Sequence, residues 1–349
     1  MIRNHYHTVI IGAGPAGLAC ALTLLENGVD DVLVAEKYAF PRDKCCAGYI
    51  TGKTERAYKR FGLDPAGCGY SRIKDFKLFY NLNCRQTIDN QFLFSSREIN
   101  RVALDDAFFR LAKARGIQIA ENLPITGHDP EKNTVILGNT HAVAYDDLVF
   151  ADGTMGFGSK YQDTKLRNLA MQFIFPSDQP DSIEIHFGVT KRGYCWVSTT
   201  GGVTNVGMTD EYRTGEKYRQ LFEAFLRDLG LEPNASDLYA AFTPIGVRKP
   251  VIGHNLYFVG DAMGACDPFT LSGVSNALAS GKKAALSIAR SDPRIIKRYA
   301  HALSVKFFFM RSLMKVFYVP WVRAFVFGVG CRFLGGVVTF FFNRFLNKK

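Results

Sequence analysis

The 349-residue chain lacks the cysteine and histidine spacings that are typical of metal sites. Its eight cysteines form no C-x-x-C pair, and its seven histidines form no H-E-x-x-H or similar ligand set. Zinc and iron–sulfur sites are therefore not expected. The chain also lacks internal repeats, and its 47% hydrophobic and 21% charged residues exclude disorder, collagen and coiled coil.

A cleavable leader is not expected either. A buried strand of the kind that precedes a cofactor begins near residue 8, which leaves no room for a charged segment and an apolar segment ahead of it. We therefore expect the body of the protein to be cytoplasmic, with its thiols mostly reduced.

Acidic residues are absent after Asp292. The body up to that residue is neutral overall, so the formal charge of +11 lies entirely within residues 293–349. This tail is also rich in phenylalanine, with eleven between Phe307 and Lys349. A neutral body with a cationic, apolar tail favours an anionic membrane surface as partner, and a nucleic-acid partner is not expected.

The tail is too interrupted by charge to be a simple membrane span. Its longest uncharged run, Phe333–Asn343, has 11 residues, whereas a span needs about 20. A span from Ala324 to Asn343 would hold Arg332 near its centre, at a cost of about 2.5–3.5 kcal/mol. We expect a helical tail in peripheral or monotopic association with the membrane. A true span and a helical cap packed on the protein are the alternatives.

The chain opens with a β-α-β pattern. Thr8–Ile11 predicts a buried strand, the glycine-rich run 12–17 (GAGPAG) follows, a helical periodicity ends at Gly28, and Val32–Glu36 predicts a second strand. In such a run the first glycine permits a tight turn, the second lets the backbone approach a pyrophosphate, and the third allows close helix packing. The pattern therefore predicts dinucleotide binding.

Glu36 narrows the choice of dinucleotide. It lies 19 residues after Gly17, at the end of the second strand, where a carboxylate can accept hydrogen bonds from an adenosine ribose. A carboxylate there disfavours a 2′-phosphate, so FAD or NAD fits better than NADP.

A second signal, late in the chain, favours FAD. Leu256–Asp261 predicts an apolar strand that ends in Gly-Asp, before a loop and a small-residue helix from about Ser272 to Arg290. An acid at this place can hold a ribitol hydroxyl, and free helix amides can face a phosphate or the polar edge of a flavin. The alternative is an aspartate that only caps the helix.

These motifs resemble the geranylgeranyl reductase family of FAD-dependent oxidoreductases, within the p-hydroxybenzoate-hydroxylase-like fold. The resemblance runs over about residues 5–290. The segment Phe40–Gly48 is similar to the family's P-R-x-K-x-C-G-G stretch, with Cys46 at the family's cysteine and Ala47 in place of its first glycine.

Further motifs carry the same resemblance. The segment from Arg101 to Asp105 resembles the family's R-x-x-F-D helix, whose arginine lies against FAD, and Ala151–Gly153 resembles its A-D-G strand end. Residues 194–207 resemble its Y-x-W-x-F-P…G-x-G segment. Residues 268–274 match its P-x-x-G-x-G-I motif except that Leu271 stands where the first glycine is expected, which narrows the cavity or changes the loop backbone.

The resemblance implies reduction of isolated C=C bonds in an isoprenoid chain, that is, in a polyprenyl lipid, quinone or pigment side chain. A hydride would leave N5 of reduced FAD, and the electron donor would be NAD(P)H or a ferredoxin, since no second nucleotide fingerprint is present. The runner-up is a flavin-dependent monooxygenase or halogenase, although the W-x-W-x-I-P segment of halogenases is not visible. A flavoprotein that only passes electrons is the third reading.

Three residues are the catalytic candidates. Cys46 is expected nearest the chemistry, and its alternative role is that of a small buried hydrophobic residue. Tyr194 and Trp196 alternate on a strand and could line a lipid tunnel, or they could be ordinary sheet core. No metal ligands are predicted. The residues expected to bind FAD are Gly12, Gly14, Ala16, Gly17, Glu36, Lys37, Cys46, Ala47, Arg101, Asp152, Gly260, Asp261, Gly273 and Val274.

The predicted fold class is α/β (α+β), with a Rossmann-type FAD domain built on a parallel sheet, a substrate domain built on an antiparallel sheet, and a helical C-terminal tail. The FAD domain is discontinuous and takes residues 1–75, 96–160 and 243–292. The substrate domain takes residues 76–95 and 161–242, and the tail takes residues 293–349.

Overall fold

The computed structural model describes residues 1–42, 44, 46–73, 75–89, 93–96, 101–163, 167–211, 215–232 and 234–331. Cys45 lies outside these residues. So do residues 332–349, which include Arg332 and the run Phe333–Asn343.

The chain alternates strands and helices in its first half and ends in helices. The helices are α1 (Pro15–Glu26), α2 (Gly52–Lys59), α3 (Val102–Ala114), α4 (Gly215–Asp228), α5 (Val274–Ala289), α6 (Arg294–Phe317) and α7 (Pro320–Phe325). The strands are β1 (His5–Ile11), β2 (Val32–Ala35), β3 (Ile50–Thr51), β4 (Tyr70–Arg72), β5 (Asp75–Tyr80), β6 (Asn83–Asp89), β7 (Leu93–Ser96), β8 (Gln118–Ala120), β9 (Ile125–Asp129), β10 (Thr134–Leu137), β11 (His141–Phe150), β12 (Arg167–Pro176), β13 (Ser182–Phe187), β14 (Tyr194–Thr200), β15 (Val203–Glu211), β16 (Leu238–Pro244), β17 (Val251–Ile252) and β18 (Leu256–Phe258).

The first sheet has a parallel core in the order β18-β11-β1-β2-β8. Its central strands are apolar on both faces, as expected where helices cover a parallel sheet; Val9 and Ile10 of β1 are fully buried. Helix α1 begins at Pro15, whose fixed φ suits a first turn, and is followed by Gly28 with φ +81°. The predicted β-α-β opening is confirmed.

Helices α1 and α5 pack closely on this sheet. A Cβ on Gly281 of α5 would lie 2.1 Å from the Ala16 carbonyl oxygen of α1. The small residues of α5 therefore allow its N-terminal half to lie beside the N-terminus of α1. Both helices begin near the carboxyl ends of the parallel strands.

The second sheet has the order β16-β12-β15-β14-β13-β5-β6. Its pairs are antiparallel except β13–β5, which are parallel. Helix α4 covers one face of this sheet with Phe222 and Phe225, which are fully buried. The other face turns toward the first sheet. The predicted fold class is confirmed, with one parallel pair in the mainly antiparallel sheet.

A third, small sheet differs from the expected division of the chain. Strand β7, most of which falls in the segment 76–95 that we assigned to the substrate domain, pairs with β3 and β4. It pairs with neither β5 nor β6, because the chain returns from the β5–β6 hairpin to the segment that follows β2.

The tail is helical as far as it is described, and its helices have two different faces. Ile296, Leu303, Phe307 and Met310 form the buried face of α6. Arg323 of α7 is buried, and its guanidinium donates a hydrogen bond to the Thr190 carbonyl oxygen at 3.1 Å.

No helix among the described residues is, by itself, both long and apolar enough to cross a membrane. Arg294–Phe317 and Pro320–Val329 reach that length and composition only together, and the chain bends by 82° between them.

Candidate active site

One cavity of about 670 Å³ lies between the first and second sheets, a volume in the range of ligand and cofactor sites. The predicted site residues that line it are Gly12, Gly14, Ala16, Glu36, Lys37, Cys46, Ala47, Arg101, Asp152, Tyr194, Trp196, Gly260, Asp261, Gly273 and Val274. Gly17 is the exception among the predicted residues and lies under the glycine loop. The sequence motifs therefore converge in space, although they are up to about 260 residues apart.

The glycine loop has the geometry that a dinucleotide requires. Gly12 has φ +104°, and a Cβ there would lie 2.7 Å from the Ala151 carbonyl oxygen. A Cβ on Gly17 would lie 2.0 Å from the Gly12 carbonyl oxygen, so only glycine lets helix and loop meet. At Gly14 the nearest atom to such a Cβ is Nη2 of Arg42, at 3.6 Å. Gly14 therefore leaves its backbone open to the cavity at the N-terminus of α1.

Glu36 is 4% exposed and has a second task that the sequence did not indicate. Its carboxylate accepts hydrogen bonds from the backbone N–H of Ala13 at 2.8 Å and of Tyr38 at 3.1 Å. A carboxylate has about four acceptor positions, so it can hold the loop and still accept from a ribose.

Two cations that are not among the predicted site residues, Arg42 and Lys44, also line the cavity. The Nε atom of Arg42 is buried, has no hydrogen-bond partner among the described residues, and lies 3.9 Å from Glu36 Oε1. Lys44 Nζ lies 3.9 Å from Asp261 Oδ2. A cation directly opposite the glycine loop suits a pyrophosphate. The sequence could have indicated this role, because both residues closely follow the second strand.

Arg101 and Asp105 form a buried pair at the start of α3, with 3.2 Å between Nη2 and Oδ2. Burial lowers the pKa of Arg101, but the Asp105 carboxylate raises it, and the net direction is upward. The guanidinium is thus held charged in the cavity wall. Its Nε atom and Asp105 Oδ1 have no partner among the described residues, so the pair has hydrogen-bonding capacity left for a ligand.

Asp152 follows the carboxyl end of β11, and Asp261 follows that of β18. Burial raises the pKa of Asp152 to about 6, even though its Oδ2 accepts from the Gly158 N–H at 2.8 Å. Asp261 does not end a strand as we expected. Strand β18 stops at Phe258, and Asp261 lies in the 3₁₀ turn Gly260–Met263. This turn places its Oδ1 3.1 Å from the Cβ position of Gly273, just before α5.

The charged residues, the glycine loop and the unpaired polar atoms together fit an FAD molecule. Residues of the loop and Arg42 would hold its pyrophosphate, Glu36 its adenosine ribose, and Asp261 with the N-terminus of α5 its ribitol and flavin edge.

Tyr194 and Trp196 line the opposite side of the cavity, with 6.3 Å between their ring centroids. The Tyr194 hydroxyl donates to the Thr270 carbonyl oxygen at 2.9 Å, and the Trp196 indole N–H donates to Asn205 Oδ1 at 2.9 Å. The Trp196 ring lies over Gly207, where a Cβ would be 1.9 Å from its Cζ2 atom. The polar ends of both rings are therefore engaged within the protein.

The loop before α5 is organised by Asp267. One carboxylate oxygen accepts from the N–H groups of Phe269 and Thr270 at 3.0 and 3.1 Å, and the other lies 3.4 Å from Lys306 Nζ of α6. Leu271, at the place of the family's glycine, has φ +53° and lines the cavity. The resemblance anticipated a change in this loop, and the structure shows a leucine in a backbone conformation that favours glycine.

Aromatic side chains close the end of the cavity beside the tail. Phe187 and Phe269 line it, and the Phe187 ring centroid lies 5.4 Å from that of Phe317 in α6 and 5.3 Å from that of Phe327. The inner face of the tail therefore packs behind the aromatic residues that line the cavity.

Cys46 is a half-buried free thiol on the cavity lining. It is placed either to act on a bound ligand or to pack against one. Among the described residues there is no cluster of three or more His, Cys, Asp and Glu side chains that could hold a metal ion.

The family model described as pyridine nucleotide-disulphide oxidoreductase matches residues 6–170. Digeranylgeranylglycerophospholipid reductase 1 of Methanococcoides burtonii is 26% identical over 328 residues, which cover 85% of this chain and 79% of that protein. Menaquinone reductase of Mycobacterium tuberculosis is 24% identical over 333 residues, which cover 85% of this chain and 81% of that protein.

The fold is shared with solved structures. A geranylgeranyl bacteriochlorophyll reductase-like protein from Thermoplasma acidophilum superposes with a TM-score of 0.74 at 20% identity, covering 90% of this chain and 88% of that one. The flavin-dependent brominase Bmp2 also gives a TM-score of 0.74, at 21% identity, covering 96% and 92%. At such identities the superpositions show a common fold and leave the reaction open.

Proposed function

The chain is an FAD-dependent oxidoreductase similar to geranylgeranyl reductases, and from this premise we propose that it reduces isolated C=C bonds in the isoprenoid chain of a lipid, quinone or pigment. The observation that carries the proposal is the composition of the cavity. Its dinucleotide side continues directly into a side lined by Phe76, Ile183, Phe187 and Trp196. An apolar, water-excluding lining suits a hydrocarbon chain, and lipid and quinone reductases are among its relatives.

The reaction adds one hydride and one proton across the double bond. Reduced FAD supplies the hydride from N5 when bound, and a nicotinamide or a ferredoxin-type donor restores the electrons. The protein must hold the alkene against the flavin, exclude water and supply the proton. Phe187 and Phe269 exclude water at the tail end of the cavity, and Cys46 is our candidate for the residue nearest the protonated carbon.

Anaerobic reoxidation of the photoreduced protein tests the reaction. We expect a prenylated lipid or quinone to reoxidise the flavin without oxygen, and mass spectrometry should find a product two mass units heavier for each reduced bond. Rapid oxygen consumption that depends on substrate, with a hydroxylated or halogenated product, would favour a monooxygenase or halogenase instead and would contradict the proposal.

Cys46→Ala and Cys46→Ser test the role of the thiol. We expect both variants to retain FAD and to slow reoxidation by the prenyl substrate at least tenfold. Cys68→Ser is the matched control, because Cys68 is also half-buried and free but does not line the cavity. If the Cys46 variants react at the wild-type rate, Cys46 only packs in the cavity wall.

The same proposal places the protein at a membrane surface. Phe308, Phe309, Leu313 and Trp321 are 64–73% exposed on the outer side of α6 and α7. Lys315 is exposed on the same stretch, and no acidic residue follows Asp292. An apolar row with cations and without acids is complementary to an anionic bilayer, where the rings enter the interface and the cations meet phosphates.

Surface substitutions test this placement better than deletion of the tail, because Phe317 and Phe327 also pack on Phe187 of the cavity lining. We expect co-sedimentation with phosphatidylcholine vesicles to increase when they contain phosphatidylglycerol. Phe308→Ser with Phe309→Ser should weaken binding about tenfold for each ring, whereas Ile136→Ser, at an exposed apolar residue on β10 of the first sheet, should not. Wild-type protein that stays in solution with anionic vesicles would refute the membrane placement and leave the reaction untouched.

A further inference from the structure

The face of the second sheet that lines the cavity has two chemically different halves. Strands β5 and β13 contribute only apolar side chains to the lining, such as Leu78 and Ile185. Strands β12 and β16, on the far side of β14 and β15, contribute Gln172 and Thr243, separated by the small pair Ala170 and Ala241.

Gln172 has no hydrogen-bond partner within the described part of the chain, although it is only 4% exposed. Burying an unpartnered amide costs about 1–3 kcal/mol. Because Gln172 lines the cavity, its side chain faces the space that a ligand would fill. Thr243 Oγ1 is also buried without a partner among the described residues.

The neighbouring polar groups do not share this property. The Trp196 indole N–H donates to Asn205 and the Tyr194 hydroxyl donates to the Thr270 carbonyl oxygen, each at 2.9 Å. Gln172 and Thr243 are thus the lining groups of this side that keep hydrogen-bonding capacity for a ligand.

This side of the cavity also has no charged lining residue among those described. The charged residues of the lining, which include Arg42, Lys44 and Arg101, all belong to segments around the first sheet. An ionised phosphate buried beside Gln172 and Thr243 would have neither a counter-cation nor a helix N-terminus of its own, at a cost of several kcal/mol. Because Gln172 and Thr243 are offset by four residues across the β12–β16 pair, a head group with two separate neutral oxygens could instead satisfy both residues.

We infer that the substrate carries an uncharged head group with carbonyl or hydroxyl oxygens, as a prenylated quinone does, and that Gln172 and Thr243 bind this head while β5 and β13 hold the prenyl chain. This inference rests on the proposed function and narrows it. The alanines between the two polar residues leave a shallow strip over which a flat ring can lie. A prenyl phosphate or an intact phospholipid head is excluded from this site by the absence of a cation.

Binding to the FAD-loaded, oxidised protein tests the inference without turnover. Trp196 lines the cavity and Trp321 is 73% exposed, so quenching in the Trp321→Phe variant reports on the cavity. The probes are a naphthoquinone with a short prenyl chain, the same chain as an alcohol, and the same chain as a monophosphate. We expect the quinone or the alcohol to bind at least tenfold more tightly than the monophosphate.

Variants of the two halves sharpen this test. Gln172→Leu keeps the size of the side chain and should remove most of the preference for neutral oxygen, weakening quinone binding about tenfold. Ile185→Ala, in the apolar half, should weaken all three probes by a similar factor. Which neutral probe binds more tightly distinguishes a carbonyl head from a hydroxyl head.

The outcomes separate this inference from the proposed function. Equal or tighter binding of the monophosphate, or unchanged quinone binding by Gln172→Leu, overturns the neutral head group alone. Failure of all three probes to bind, in a protein that retains FAD, overturns the prenyl substrate itself and the inference with it.

Discussion

The two sides of the cavity differ in how they are built. The dinucleotide side holds charges in opposed sets, with Arg42 near Glu36, Lys44 near Asp261 and Arg101 against Asp105. The substrate side has no charged lining residue in the described chain and relies on rings, branched chains and two neutral polar groups. An anionic cofactor is bound by fixed charges, whereas a water-insoluble hydrocarbon chain is bound by an apolar surface of complementary shape. Substitutions on one side should therefore leave the ligand of the other side almost unaffected.

The largest effect on cofactor binding is expected at Gly14. In Gly14→Ala the new Cβ meets only Arg42 Nη2, at 3.6 Å, so the fold should be retained while the methyl group enters the space of the pyrophosphate. We expect FAD affinity to fall at least 100-fold in a fluorescence titration, with little change in the melting temperature of the apoprotein.

Gly67→Ala is the control for this substitution, since a Cβ there would meet nothing within 4 Å. Wild-type FAD affinity in Gly14→Ala would mean that the pyrophosphate does not lie on this loop.

The next effect, on the free energy of unfolding, is expected for the buried Arg101–Asp105 pair at the start of α3. Asp105→Asn leaves the Arg101 guanidinium buried without its counter-charge, and we expect a loss of about 3–5 kcal/mol in the free energy of unfolding, measured with urea. Asp106→Asn removes the pair with Arg110, whose side chain is 74% exposed, and should cost less than about 1 kcal/mol. Equal losses would show that burial does not strengthen the first pair.

The pH dependence of stability should also distinguish the dinucleotide side of the cavity from the substrate side. The pKa of Asp152 is raised by burial from 3.8 to about 6, so the native state binds a proton that the unfolded state releases. The contribution of Asp152 to the free energy of unfolding of the apoprotein is therefore fully present below about pH 4. It is lost as the pH rises to about 6.

In Asp152→Asn this decline should be smaller than in the wild type when melting temperatures are compared at pH 4.5, 5.5 and 7. Gln172→Leu, on the uncharged side, should keep the wild-type slope. A slope unchanged by Asp152→Asn would assign the pH dependence to other buried acids such as Asp147.

The smallest effect is expected at Leu271. Its φ of +53° is unfavourable for leucine by roughly 1 kcal/mol, which Leu271→Gly would relieve while adding flexibility to the unfolded chain. We expect a change in the free energy of unfolding of at most about 1 kcal/mol, together with a wider cavity that accepts bulkier prenyl substrates. Unchanged substrate selectivity would show that this side chain does not limit the cavity.

The sequence predicted the dinucleotide side better than the substrate side, for a physical reason. The glycine loop and Glu36 act through local backbone geometry, which short spacings encode. The direction of Gln172 depends on the register of β12 against β15 and β16, whose partners lie tens of residues away. A single glutamine within an apolar strand gives no signal of its own.

The buried face of the tail was harder to predict, because the buried and exposed faces of its helices are similar in composition. Phe307 and Phe308 are adjacent in the sequence, yet one is 2% and the other 68% exposed. Only the position of α6 against the body decides which ring is inside, and the same holds for the buried Arg323.

The long-range pairings described above also constrain how the protein is made. Strand β5 is completed by β13, which is synthesised about a hundred residues later, and Ala16 of the glycine loop receives its neighbour Gly281 only after more than 260 further residues. On the ribosome, the β5–β6 hairpin therefore has an unpaired β5 edge for many seconds, and the cofactor loop lacks its packing partner α5 for as long. Newly made protein should depend on chaperones until α5 has emerged from the ribosome, and we expect stable capture of FAD only after that point.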